Sequence, residues 1–176
     1  GYLLVKNLLE DKYIDKMFST LVNLLSHFGG EVTKSYKNFK SWDDEYLNEV
    51  MIQLRKQDKK KFSAIFECVR RSLALNNLCC SQRVTDYVSY ILNAKPECLS
   101  YNTFFLRMDT PFDKRNSYGW HQDDSYNEFN KGENAIVTWI PMTHVDSKIG
   151  SLKICKFSHK AGSLPTIVSK ESFDVS

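Results

Sequence analysis

His121 and Asp123 stand two residues apart in the segment Tyr118-Gly-Trp-His-Gln-Asp-Asp124. In an extended segment side chains alternate sides with period two, so an imidazole and a carboxylate at this spacing face the same way. Such a pair presents two of the three protein ligands of a mononuclear iron site. The 2-His-1-carboxylate triad with open positions marks a non-haem Fe(II) oxygenase. Neutral imidazole suits Fe(II), and a carboxylate offsets part of its charge. Three letters are weak evidence alone, and the triad needs a second histidine. The chain has four histidines, His27, His121, His144 and His159. His27 falls in the first helical pattern, His144 at the end of an expected strand, and His159 in a loop. The plain alternative for His144 and His159 is hydrogen bonding to main chain.

The elements that position the pair follow from hydrophobic spacing. The run Tyr2-Leu3-Leu4-Val5 reads as a short strand. Asp11 reads as a cap, and Ile14, Met17, Phe18, Leu21, Leu24, Leu25 and Phe28 make one apolar helical face that Gly29-Gly30 ends. Residues 31–42 read as irregular. Asp43, Asp44 and Glu45 place acids at a helix start, with Tyr46, Leu47, Val50, Met51 and Leu54 on the face. Phe62, Ile65, Phe66, Val69 and Leu73 predict one further helix ending near Asn76-Asn77. Ser81 caps another, with Val84, Tyr87, Val88, Ile91 and Leu92 inward, and Lys95-Pro96 ends it. The pattern then changes. Residues 99–108, 118–123, 135–140 and 151–155 read as strands, with polar loops at 109–117 and 125–134, a turn at 146–150 and a loop at 157–164. Helices first and short strands after predict an α+β fold with a sandwich or barrel of strands.

Composition bounds the rest. The chain has 176 residues, 42% hydrophobic and 26% charged, with net charge +3, enough for one domain with a true core. Its one basic run, Arg55 to Lys61, reads as a solvated helix end or loop, not a nucleic-acid surface, since no aromatic platform accompanies it. The five cysteines, Cys68, Cys79, Cys80, Cys98 and Cys155, form no C-x-x-C pair and read as buried thiols of a reducing, cytoplasmic setting. No apolar run is long enough to span a membrane, and the first residues show no charged stretch followed by an apolar one. It begins at Gly1 with no Met, and the natural start is expected upstream.

Taken together, Trp120-His121-Gln122-Asp123, then Trp139, Gly150-Ser151-Leu152 and the loop Ser158-His-Lys-Ala-Gly-Ser-Leu164 resemble the phytanoyl-CoA dioxygenase family. Gly1-Tyr-Leu-Leu-Val with the following helix resembles that family's opening. Phe157 stands where the family usually has Gly. The resemblance implies a double-stranded β-helix (a cupin-like jelly roll) with the N-terminal helices packed on one sheet, and one dioxygenase-like domain over 1–176. Residues 1–95 would be its helical part and 96–176 its first strands. It implies Fe(II) held by His121 and Asp123, with 2-oxoglutarate as co-substrate near Gln122 and Trp139. It implies hydroxylation by O2 of a small-molecule or lipid- or carrier-linked substrate, with release of succinate and CO2.

By the same match His159 is not the second iron histidine. No His or Arg occurs in 160–176. The third ligand, the Arg that would pair the far carboxylate of 2-oxoglutarate, and the last strands are therefore expected beyond residue 176, the alternative being that His159 or His144 completes the triad in a shortened fold. Asp123 favours hydroxylation over halogenation, since related halogenating enzymes replace this carboxylate by a small residue. The other classes in view are a catalytically inactive jelly-roll binding protein and a cupin-type metal protein that does not use 2-oxoglutarate. Tyr101, Phe104, Phe105 and Tyr126 could line a pocket, with sheet packing as the plainer role.

Overall fold

The computed structural model describes residues 1–34, 38–101, 104–111, 119–123 and 134–165. Among the described residues six α-helices carry the fold: α1 Asp11–Phe28, α2 Glu31–Lys34, α3 Glu45–Gln57, α4 Lys59–Arg70, α5 Leu73–Cys79 and α6 Gln82–Leu92. Single 3-10 turns follow at Pro96–Cys98 and Ser158–Ala161. The α1 helix packs against α4 and α5, α3 packs against α4, and α2 joins α1 to α3.

The helices form where apolar spacing and caps agree. Met17, Leu21 and Leu25 bury the inner stripe of α1, and Leu47, Val50 and Leu54 that of α3. Phe62, Ile65 and Val69 do the same for α4. Asp44 caps α3 by accepting from Tyr46 N at 2.9 Å. Asp58 lies between α3 and α4, and its Oδ1 accepts from Lys61 N at 2.9 Å. The basic run is therefore a helix junction. Arg55 lies over the Phe62 ring at 5.1 Å, and Lys61 Nζ stands 3.5 Å from Asp58 Oδ2. Gly29, still right-handed at φ −68, caps α1 where no side chain would fit. A Cβ would lie 2.0 Å from Thr33 Cγ2 and 2.5 Å from Leu25 O. The chain then turns through Gly30 at φ +69.

Several expectations need correction. The first helical residue of α1 is Asp11, with Glu10 in the cap position. Phe28 is exposed rather than on the inner face. The single helix expected from Phe62 to Asn77 is two helices. Ser72 leaves helical geometry at φ −70, ψ 151, and its side chain accepts from Leu75 N at 3.1 Å, starting α5 afresh. Leu73 is consequently 79% exposed. On α6, Val84 is buried, whereas Tyr87 and Ile91 are exposed. The thiols are not a buried set: Cys68, Cys80, Cys98 and Cys155 are exposed, all five are free, and burial pushes the half-buried Cys79 thiol up to about 11.

The largest correction is the sheet. No strand occurs among the described residues, so the expected α+β jelly roll is not observed. Residues 2–5, 99–101, 104–108, 119–122, 135–140 and 151–155 have no regular secondary structure, and Asp123 has 3-10 geometry. The physical reason is pairing. A helix closes its hydrogen bonds within itself, while an extended segment needs a neighbouring strand. Among the described residues the bonds between main-chain groups from residue 99 onward are local turns, such as Ile149 N to Asp146 O at 3.2 Å. Side chains nevertheless alternate along 104–108. Phe104, Leu106 and Met108 pack against the helical core while Phe105 is 77% exposed. The turn at 146–150 is as expected: Asp146 Oδ1 accepts from Lys148 N and Ile149 N, and Gly150 has φ +75.

Candidate metal centre

His121 and Asp123 sit on the short irregular segment 119–123. Their side chains turn to the same side, with His121 Nε2 at 3.3 Å from Asp123 Oδ1. The other ring nitrogen is committed. Nδ1 lies 2.8 Å from Gly119 O, which can only accept, so Nδ1 carries the proton and donates. Nε2 therefore meets the carboxylate either as the N–H of an imidazolium or as a bare donor sharing a cation with it.

That arrangement fits a metal on two counts. Ligating histidines usually donate their second N–H to a carbonyl or carboxylate, which fixes ring and tautomer. Two donors about 2.1 Å from a first-row ion, at neighbouring octahedral positions, stand about 3 Å apart. The observed 3.3 Å is close to that span. Among the described residues no group of three or more His, Cys, Asp and Glu is placed to hold a metal, so the fit concerns two ligands.

The other histidines are elsewhere. His27 Nδ1 donates to Asn23 O at 2.8 Å in the last turn of α1. His144 N donates to Asp43 Oδ1 at 2.9 Å, tying its loop to the approach to α3. The His159 ring lies against Gly1, whose Cβ position is 3.5 Å from the ring's Cε1.

Gln122, expected beside 2-oxoglutarate, uses its carboxamide on main chain: Nε2 donates to Gly162 O at 2.9 Å, and Oε1 accepts from Leu164 N at 2.7 Å. Trp139 is 46% exposed, while its neighbours Ile140 and Met142 pack on the helical core. Tyr101 and Phe104 stack on each other at 4.4 Å. Tyr118, Asp124 and Tyr126 lie outside the described residues.

Two features of the site had no clear sequence signal, and a third had one. Gly119 acts through its carbonyl, which any residue has. Gly162 and Leu164 likewise act through main chain. Phe157 adopts φ +66, a left-handed conformation. Its signal was present, as the one position where Phe replaces an expected Gly.

No helix among the described residues is long and apolar enough to cross a membrane. No curated protein and no solved structure matches the chain. The family model for phytanoyl-CoA dioxygenase (PhyH) matches residues 1–173, and members of that family are in general Fe(II)- and 2-oxoglutarate-dependent oxygenases acting with O2 on small molecules. With nearly its whole length matched, this chain belongs to the phytanoyl-CoA dioxygenase family.

Proposed function

We propose that the chain works as one dioxygenase-like unit that hydroxylates a small-molecule or lipid- or carrier-linked substrate, using Fe(II) and 2-oxoglutarate. His121 and Asp123 are two of its iron ligands. The observation that carries the reading is the pairing of Nε2 with Asp123 Oδ1 at 3.3 Å while Nδ1 is held by Gly119 O. Family membership supports the reaction class.

Bound there, Fe(II) would supply the site for O2 and for chelation of 2-oxoglutarate, with open positions beside the protein ligands. The chain's own residues do the rest. Gly119 O fixes the ring of His121, so Nε2 is the donor atom. Asp123 brings one negative charge to the cation. By occupying a coordination position it leaves no room for a halide, which favours hydroxylation. Trp139 is proposed as an apolar wall for the co-substrate, its exposed ring being available to meet one.

The test is an anaerobic titration of the purified protein with Fe(II) and 2-oxoglutarate, following the visible charge-transfer band of the chelate. The native protein should give the band, and His121→Ala and Asp123→Ala should each lose it together with 2-oxoglutarate turnover. A native protein without the band would sink the dioxygenase reading and leave a binding protein or another metal protein. Full turnover in either variant would remove that residue from the ligand set.

A further inference from the structure

The residue between the two candidate ligands is engaged on another part of the chain. One Gln122 carboxamide closes a two-point pair with main chain, donating to Gly162 O at 2.9 Å and accepting from Leu164 N at 2.7 Å. A carboxamide carries the same donor and acceptor as a peptide group, so this side chain pairs with residues 162 and 164 much as a neighbouring strand would. The partners are far apart in sequence, and the bonds lock one irregular segment to another.

The segment it grips is shaped for the contact. Phe157 turns left-handed at φ 66, Ser158–Ala161 form a 3-10 turn, and Gly162 follows at φ 72, ψ −163. That last conformation is essentially open to Gly alone, and it delivers the Gly162 carbonyl and the Leu164 amide to the same carboxamide. The ligand pair and the gripped loop are thus joined through the middle residue of His121-Gln122-Asp123. While the Gln122 side chain is held on the loop, those of His121 and Asp123 meet each other at 3.3 Å. Holding Gln122 sets the direction in which His121 and Asp123 point.

We propose that Gln122 is a positioning residue: by pairing with Gly162 and Leu164 it ties the 158–164 loop to the 121–123 segment and keeps His121 and Asp123 in register for a metal ion. The inference rests on the metal reading above. It also accounts for Gln at this position rather than Glu. A carboxylate can accept from Leu164 N but has no hydrogen for Gly162 O, and it would face that carbonyl with a charge.

Two variants test it, Gln122→Ala and Gln122→Glu, each read by hydrogen exchange of the Leu164 amide and by anaerobic Fe(II) affinity. Helical unfolding is followed in parallel, as a merely structural role would move only that. Gln122→Ala should lose protection at Leu164 and weaken Fe(II) by about 10- to 100-fold, the usual range for residues that orient metal ligands. Gln122→Glu should keep that protection and fall between native and Gln122→Ala in affinity. Native-like Fe(II) affinity in Gln122→Ala would overturn the positioning role and leave the metal reading standing. Absence of Fe(II) binding by the native protein would overturn the metal reading itself, and the positioning role with it, before any variant is made. If Gln122→Ala does not fold, Gln122→Glu decides: native affinity in that variant overturns the proposal.

Discussion

Residues 11–92 and residues 99–165 solve the burial problem differently. Among the described residues the buried hydrophobic core draws on the first region alone, from Met17 to Val84, with Met17, Leu25, Val50, Leu54 and Val69 at 0% exposure. The second touches that core along one edge, through Phe104, Leu106, Met108, Ile140 and Met142. Others of its apolar residues face outward: Trp120, Val137, Ile149, Leu152, Ile154 and Phe157 are all more than half exposed. The candidate ligands and the loop they are tied to lie in this second region. The helical region is held by packing, and the site region by a few point contacts to main chain. Stability and function should therefore separate by mutation.

The largest effect expected is on function alone. His121→Ala should abolish Fe(II)-dependent turnover, yet change the free energy of unfolding by no more than about 0.5 kcal/mol, as partly exposed positions usually do. Denaturant curves of the helical signal check this beside the turnover assay. A large loss of stability in His121→Ala would show that the two regions fold as one cooperative unit.

Next is the converse. Leu54→Ala removes a fully buried side chain from α3 and should cost about 2–5 kcal/mol, through lost burial and the cavity left behind. Leu152→Ala is the same chemical change at a 55% exposed position and should lie within about 0.5 kcal/mol of native. Urea midpoints of the two variants, measured together, give the contrast directly. Equal costs would mean that residue 152 is packed in solution.

The same contrast explains what was legible in the sequence. Helices α1, α3, α4 and α6 could be read from spacing because their hydrogen bonds are local and their stripes repeat within each segment. The break at Ser72 was missed because apolar spacing runs through it to Leu73, while the side-chain bond to Leu75 N that restarts the helix depends on local geometry. For 99–165 aromatic-rich and apolar runs read as strands, and no strand forms there among the described residues, although Phe104, Leu106 and Met108 pack on the core while Phe105 is exposed. A sheet depends on a partner that such runs do not encode. His121 and Asp123 could be picked out from residue type and spacing. The carbonyl of Gly119 and the main chain of Gly162 and Leu164 could not, since backbone partners leave no mark in side-chain identity.

A smaller effect is expected at Phe157. Its left-handed backbone costs a non-glycine residue about 1–2 kcal/mol, and Phe157→Gly removes that cost. It also removes the ring over which Lys160 Nζ lies at 5.2 Å, a contact worth about 0.5–1 kcal/mol at an exposed site. Glycine also gives the unfolded chain more freedom. The net change in unfolding free energy should be under about 1 kcal/mol, with Fe(II) affinity kept. A marked loss of affinity would show that the ring itself, rather than the turn, holds the loop in place.

The smallest effect at neutral pH is expected from Asp58→Asn, at the junction of α3 and α4. The Lys61 backbone N–H bonded to Asp58 holds its carboxyl below the ordinary value of 3.8, against a smaller opposing effect of burial. A folded value below the unfolded one means that the group favours folding above about 3.8. That contribution fades as pH falls through the still lower folded value. Asn is nearly as good a helix cap as Asp, and the exposed contact to Lys61 Nζ at 3.5 Å is a weak one. Native protein and Asp58→Asn should therefore have similar urea midpoints near pH 7, and the native curve should fall more steeply below about pH 4. Asp44, held low chiefly by the Lys40 backbone N–H, should behave alike at the start of α3. If Asp58→Asn loses stability in acid as steeply as native protein, the acid response comes from other carboxylates and this junction is not its source. A shallower acid limb places part of it in the helical region.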